Sequence, residues 1–371
     1  MTPPRLVHVF PAFATGGPEV RTATLINTLT DFSHAIVSLS GDDSGRVRLA
    51  ASDAVSIAGP GRGWKLKAIA EAIAAHRPDL VITYGWGGTD AIVATRLARL
   101  GRPLHVEDGF LPDEASRQKP LRLQVRRACF RLASGLIVPS RTLERIAAHD
   151  WWLPPSAVRF IPNGIDTKRF APATPEQRRL ARRAAGAGDD DIVVGTVAAL
   201  RPDKNHARLI RVVRALSSSQ PIRLLVVGDG PCRPALEQQV TESALRDRVT
   251  FAGAQVDPSA AYHGMDVFAL SSDTEQMPLS VLEAMASGLP VASPDVGDVA
   301  EMVPEGGGIV SPRGDERGLT AAIARLMEDE PLRRAAGAAN RACVVASYSV
   351  ERMIDAYRAA FAAALNGRRK S

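Results

Sequence analysis

Residues 192–206 read IVVGTVAALRPDKNH, and they decide how the chain is organised. The run Ile192–Ala198 is short, apolar and rich in β-branched residues, as a strand buried on both faces must be. Pro202 and Asp203 break it, and a helical pattern follows Lys204. A strand–loop–helix unit therefore starts afresh in the middle of the chain. Just upstream, Ile161–Asp166 reads IPNGID, where proline, asparagine and glycine together make a turn. Between the two, residues 171–191 read as a linker with a polar helix.

The same alternation runs outward in both directions. Before the break, strands are expected at Leu6–Val9, Ala35–Ser40, Leu80–Thr83, Leu104–Glu107, Gly135–Val138 and Val158–Ile161, with helical patterns at Trp64–His76 and Asp90–Leu100. After it, they are expected at Ile192–Ala198, Arg223–Val227, Val249–Ala252, Val267–Leu270, Val291–Ser293 and Ile309–Val310. Short apolar strands separated by amphipathic helices make a parallel sheet covered on both faces. The fold expected is α/β, with two Rossmann-like doubly wound domains, and a length of 371 residues accommodates both. The last helix, Val350–Leu365, gathers Met353, Ile354, Tyr357 and Phe361 near one face, and the basic tail Arg368, Arg369 and Lys370 follows.

Composition narrows the function classes. Apolar residues are 45% and charged residues 23%, an ordinary globular balance that leaves no room for wholesale disorder. The net charge of +6 favours anionic partners. Nucleic acid is the weaker of these, because no zinc-finger spacing or aromatic-basic motif is present. Cys129, Cys232 and Cys343 are far apart and form no CxxC pair, so neither a disulfide framework nor a cysteine zinc site is expected, and a reducing cytoplasmic compartment fits. The start, MTPPRLVHVFPAF, is too short an apolar run for a signal peptide.

Doubly wound sheets bind ligands at the carboxyl ends of their strands. Three loops there carry chemistry. Gly16-Gly17-Pro18-Glu19 follows the first strand and precedes a helix starting near Val20. It reads either as a phosphate-binding turn, with close backbone approach and a helix amino terminus, or as a plain strand-to-helix turn. Lys204 lies after the restarted strand, where an ammonium would neutralise a diphosphate; an isolated lysine in a turn is more often simply solvated. The third loop, residues 275–290, reads EQMPLSVLEAMASGLP. Glu275 ends a loop, Pro278 opens a helix that stops at Gly288, and Glu283 sits a little over a turn inside it. The N–H groups around Met277–Ser280 would bind phosphate, while two carboxylates would accept sugar and ribose hydroxyls. Spacing alone equally fits a glutamate at a helix start and another on a solvated face.

Taken together, these segments resemble glycosyltransferase family 4, retaining enzymes of the GT-B fold. The Glu275…Glu283 element carries the resemblance furthest. With it come GGPE at Gly16–Glu19, VPSRTLERIA from Val138, IPNGID at Ile161–Asp166, RPDKNH at Arg201–His206, VVGDGP at Val226–Pro231, VTFAG at Val249–Gly253 and DVGDVAEMV from Asp295, in the family's order. The resemblance implies two domains facing a central cleft. Residues 1–170 with a returning helix at 348–371 would bind the acceptor, and residues 171–347 the nucleotide sugar. It implies that Lys204 contacts the diphosphate, Glu283 the ribose and Glu275 the donor sugar. Backbone at Met277, Pro278 and Leu279 and the Gly16-Gly17 turn would cradle phosphate. The base would lie near Gly228, Gly230 and Gly253. It further implies a hexosyltransferase that retains anomeric configuration and needs neither metal nor cofactor. Asp42-Asp43 and Asp189–Asp191 read as loop charges rather than metal ligands.

Two positions depart from the family pattern. Its usual arginine five residues before the lysine is Ala199 here, and Arg201 is the candidate replacement on the same side of an extended segment. Its usual histidine before a glycine is replaced by Asp108, so His105 or Asp108 would face the acceptor or sugar. Arg117, Lys119, Arg122, Arg126, Arg127 and Arg131 surround apolar Leu121, Leu123, Val125 and Phe130. This basic helix reads either as solvated or as resting on an anionic membrane surface, which would bring the enzyme to a lipid-linked saccharide on the inner face of the cytoplasmic membrane. The alternatives to such a transferase are an epimerase of the same fold and a non-catalytic relative that only binds nucleotide sugar.

Overall fold

The computed structural model describes residues 2–14, 16–50, 55–59, 65–110, 114, 117–188, 190–218 and 221–368. Thr15, Trp64, Asp189, Arg369 and Lys370 lie outside the described residues. The chain divides into two compact units, Met1–Asn163 with Glu351–Ser371, and Gly164–Val350.

The first unit alternates strands and helices in the order β1 (Arg5–Phe10), α1 (Gly17–Thr28), β2 (Ser33–Ser38), β3 (Ser56–Ala58), α2 (Leu66–Ala74), β4 (Leu80–Tyr84), α3 (Thr89–Leu97), β5 (Leu104–Val106), α4 (Pro120–Leu132), β6 (Gly135–Val138), α5 (Arg141–His149) and β7 (Val158–Phe160). Its sheet is parallel, in the order β3-β2-β1-β4-β5-β6-β7. Six strands fall where the apolar runs predict them. The three-residue β3 has too short a pattern to stand out. Helix α1 starts at Gly17 rather than near Val20, because Pro18 is tolerated in a first turn, where its missing N–H costs nothing.

The second unit continues with α6 (Pro175–Ala184), β8 (Ile192–Val197), α7 (His206–Leu216), β9 (Ile222–Val227), α8 (Arg233–Glu242), β10 (Val249–Gly253), α9 (Ser259–Tyr262), β11 (Val267–Ala269), α10 (Leu279–Ala286), β12 (Val291–Pro294), α11 (Val299–Met302), β13 (Gly308–Ser311), α12 (Glu316–Glu328) and α13 (Glu330–Ser347). Its parallel sheet has the order β10-β9-β8-β11-β12-β13. Neighbouring residues of one strand serve opposite layers. Val193, Leu225 and Phe268 pack with α10, while Val194, Leu224 and Val267 pack with α7 and α12. Each such side chain contributes about 1.5–3 kcal/mol by leaving water.

Helix α14 (Val350–Arg368) belongs to the first unit. Met353, Ile354, Tyr357 and Phe361 are buried, as its amphipathic pattern predicts. The Phe361 ring meets Phe32 edge-on at 6.1 Å.

Candidate functional site

In each sheet the strand order reverses at one point, between β1 and β4 in the first and between β8 and β11 in the second. Loops leaving the carboxyl ends of strands at such a reversal splay apart and leave room for a ligand. In the second unit these are the segments after β8 and after β11, and they carry Lys204 and Glu275.

The two segments are tied together. Asp273 N–H donates to the Asp203 carbonyl at 2.9 Å, and Ser271 Oγ donates to the Lys204 carbonyl at 2.9 Å. Arg208, on α7, donates to the Ser271 carbonyl at 3.0 Å and to Asp273 Oδ1 at 2.6 Å. Asn205 sits in the left-handed region at φ 46°, caps α7 through Arg208 N–H, and also donates to Asp273. This lattice brings Lys204 Nζ within 2.6 Å of Glu275 Oε1, which also accepts from Ser272 Oγ at 2.7 Å. The pair is only 15% and 11% exposed, so its charges act with little screening.

Behind Lys204, His206 opens α7 and is buried. Burial, reinforced by the Lys204 charge, lowers its pKa to about 4, so the imidazole is neutral.

Helix α10 starts after Pro278, an extended cap residue, with Met277 buried just ahead of it. Gly297, at φ 59°, presses against the preceding loop: a Cβ there would lie 2.4 Å from the Gln276 carbonyl oxygen. Asp298 N–H donates to that same carbonyl at 2.8 Å. The first turn of α10, at Leu279, is thus held at the carboxyl edge of the sheet with its N–H groups and partial positive charge facing outward along the helix axis. Glu283 lies one turn in, and Tyr262 Oη donates to its Oε2 at 2.5 Å.

The loop after β9 closes on the Lys204 segment. Leu200 N–H donates to the Asp229 carbonyl at 3.0 Å, and Gly228 N–H to the Gly253 carbonyl at 2.8 Å. A Cβ on Gly228, at φ 143°, would lie 1.9 Å from the Ala198 carbonyl oxygen, so only glycine fits. Gly230 follows at the same edge. The second unit therefore gathers Lys204, Glu275, Met277, Pro278, Leu279, Gly228, Gly230 and Gly253 around one sheet edge, with Glu283 just below. Arg201 is there too, but it is exposed and pairs with Asp203 at 3.0 Å.

In the first unit, Gly16 and Gly17 are exposed at the start of α1. Asp108 is forked by the buried Arg21 at 2.6 and 2.8 Å, and Arg21 also donates to Asn163 Oδ1 at 3.0 Å. Burial raises the pKa of Glu19. His105 does not reach a surface: it is fully buried, hydrogen-bonded to Thr83 at 2.8 Å and packed on the Phe130 ring. The basic helix is only partly a basic surface. Arg126 is fully buried, forked on Glu114 at 2.9 and 3.0 Å and stacked over Trp86 and Phe110. Arg122 also turns to Glu114, and Arg127 lies over Trp152. Arg117 and Arg131 are exposed, as is Leu121. No helix among the described residues is long and apolar enough to cross a membrane.

Sequence reasoning missed Tyr262, Arg21 and the Asn205–Arg208–Asp273 tether. A buried arginine or tyrosine leaves no periodic signal; Asn205 just ahead of a helical run was the one readable sign, as a cap.

A family model described as "Glycosyltransferase Family 4" matches residues 15–169, and one described as "Glycosyl transferases group 1" matches residues 177–342. Over 204 residues the chain is 33% identical to a GDP-mannose-dependent monoacylated alpha-(1-6)-phosphatidylinositol monomannoside mannosyltransferase of Corynebacterium glutamicum, covering 52% of this chain and 53% of that protein. Over 225 residues it is 35% identical to a GDP-mannose-dependent alpha-mannosyltransferase of Mycobacterium tuberculosis, covering 59% and 54%. The chain thus spans about half the length of the curated relatives it matches. Among solved structures, Anabaena HepE in complex with UDP superposes with a TM-score of 0.84 at 20% identity, covering 97% of this chain and 100% of that one. WaaG, a glycosyltransferase involved in lipopolysaccharide biosynthesis, superposes with a TM-score of 0.72 at 18% identity, covering 95% and 98%. At these identities the structures speak for a shared fold.

Proposed function

The chain belongs to glycosyltransferase family 4, with the group 1 module as its second half, and from that premise we propose that it transfers a sugar from a nucleotide-diphosphate donor to a saccharide acceptor. The observation that carries this reading is the Lys204–Glu275 pair at the sheet reversal of the second unit. A departing nucleoside diphosphate gains negative charge as the glycosidic bond breaks. Lys204, beside the amino termini of α7 and α10, offers fixed positive charge where that develops. Glu275 accepts from hydroxyls of the donor sugar and balances Lys204, Glu283 accepts from the ribose, and the base lies along Gly228, Gly230 and Gly253. Arg201 adds a second cation to the phosphates, replacing the arginine that the family usually carries at the position of Ala199.

Within this reading the reaction retains anomeric configuration and runs without a metal ion, because Lys204 and the helix ends supply the charge a metal would. GDP-mannose is the first donor to test, since two relatives are named as dependent on it, with UDP-sugars next. The acceptor is a lipid-linked saccharide for a surface polysaccharide, met at the inner face of the cytoplasmic membrane; exposed Arg117, Arg131 and Leu121 in and beside α4 support contact with anionic lipid. Ala199 favours one other reading, a relative that binds nucleotide sugar without turnover.

The deciding experiment offers GDP-mannose, UDP-glucose and related donors, with lipid-linked saccharide extract and EDTA, and follows nucleotide release and the mass of the glycolipid product. Release with a matching mass gain supports transfer, and NMR of the new linkage reads retention. Tight nucleotide-sugar binding with no release from any donor establishes the non-catalytic reading instead.

A further inference from the structure

Tyr262 ends α9 and is 1% exposed. Its ring meets Phe170 edge-on at 5.8 Å and Phe268 at 6.0 Å, so its place is set by apolar packing. Two acceptors lie near the hydroxyl: Glu283 Oε2 at 2.5 Å and the Ser280 carbonyl oxygen at 3.4 Å. A phenol has one proton to give, and the short contact to a charged oxygen takes it. Burial, and then the Glu283 charge, push the phenol's pKa well above its ordinary value, so it remains a donor throughout the working pH range.

A glutamate side chain has three rotatable bonds, so a half-buried carboxylate on a helix has several staggered orientations open to it in principle. Here one oxygen is held by a hydroxyl whose ring is buried and packed against Phe170 and Phe268, which limits its movement. We propose that Tyr262 is a positioning residue that fixes the Glu283 carboxylate to accept from the vicinal hydroxyls of the donor's ribose, making the site selective for ribonucleotides. The inference rests on the reading of Glu283 as the ribose ligand.

Calorimetric titration of GDP, UDP and their 2′,3′-dideoxy counterparts into wild type, Tyr262→Phe and Glu283→Gln tests it. Wild type should prefer the ribonucleotide. Tyr262→Phe keeps the ring packing and should weaken ribonucleotide binding about tenfold while leaving dideoxynucleotide binding unchanged. With nucleotide sugar as substrate, the same change should raise KM and spare kcat. Combined with Glu283→Gln, Tyr262→Phe should add little further loss. A Tyr262→Phe protein that keeps the wild-type preference, or that loses both ligands equally, overturns the positioning role. Wild type that binds both forms equally overturns instead the ribose reading of Glu283, and wild type that binds neither nucleotide overturns the proposed function itself.

Discussion

Lys204 Nζ lies 2.6 Å from Glu275 Oε1, and the two residues follow the two strands between which the second sheet reverses its order. The contact spans 71 positions of sequence. It pairs the one ammonium of the RPDKNH loop with the carboxylate that opens the EQMPLSVLE segment, and in the proposed reading a donor diphosphate would share that ammonium.

Removing the ammonium should therefore be felt at the transition state. Lys204→Ala should lower kcat/KM by about 10²–10³-fold, the scale seen when one preorganised charge donor is lost. Steady-state kinetics check this, with thermal melting to show that the fold is kept.

The tether between the loops should matter through its geometry. Asn205→Ala removes the cap and places a Cβ-bearing residue without a local hydrogen bond at φ 46°, costing about 1–2 kcal/mol of stability. Asn205→Gly keeps the backbone and should cost less than Asn205→Ala. Urea unfolding of the two variants reads the order directly.

Buried histidines should make the protein lose stability in acid. His34 Nε2 donates to the Leu29 carbonyl, His8 Nε2 then donates to His34 Nδ1 at 3.0 Å, and Tyr84 Oη donates to His8 Nδ1 at 2.8 Å. Both imidazoles are neutral in this chain, and burial lowers both pKa values. His206 is lowered too, to about 4 from 6.5. The unfolded chain binds protons at the ordinary pKa while the folded one does not, so stability is complete above 6.5 and falls as pH drops below it. His206 alone accounts for on the order of 3 kcal/mol across that window. Unfolding free energies measured over it should decline with falling pH, and His206→Leu should flatten the slope.

Charge inside the first unit and charge on its surface should separate. Arg126→Met leaves Glu114 buried without its forked partner, a loss of about 3–5 kcal/mol. It should leave binding to anionic liposomes unchanged, whereas changing exposed Arg117 and Arg131 to glutamine should weaken such binding with little effect on stability. Flotation assays at low salt, beside melting curves, distinguish the two.

The strands were legible because a parallel sheet buried on both faces demands continuous β-branched runs, and twelve such runs stood between turn signals. Lys204, Glu275 and Glu283 were legible only as an ordered set with their neighbours; no spacing rule brings residues 204 and 275 together. The fully buried His105 and Arg126 were illegible as core residues, since a polar side chain enters a core only when distant partners such as Thr83 and Glu114 satisfy it. Tyr262 was hidden in the same way: one hydroxyl decides its role, and its partner lies on another helix.

The most direct test of the donor site is calorimetric titration of GDP and UDP, in EDTA, into wild type and Lys204→Ala. At least one nucleotide should bind wild type without metal, and Lys204→Ala should weaken that binding by about tenfold or more. Equal binding by the two proteins, or binding by wild type only when a divalent ion is restored, would contradict the assignment of Lys204 as the diphosphate's counter-charge.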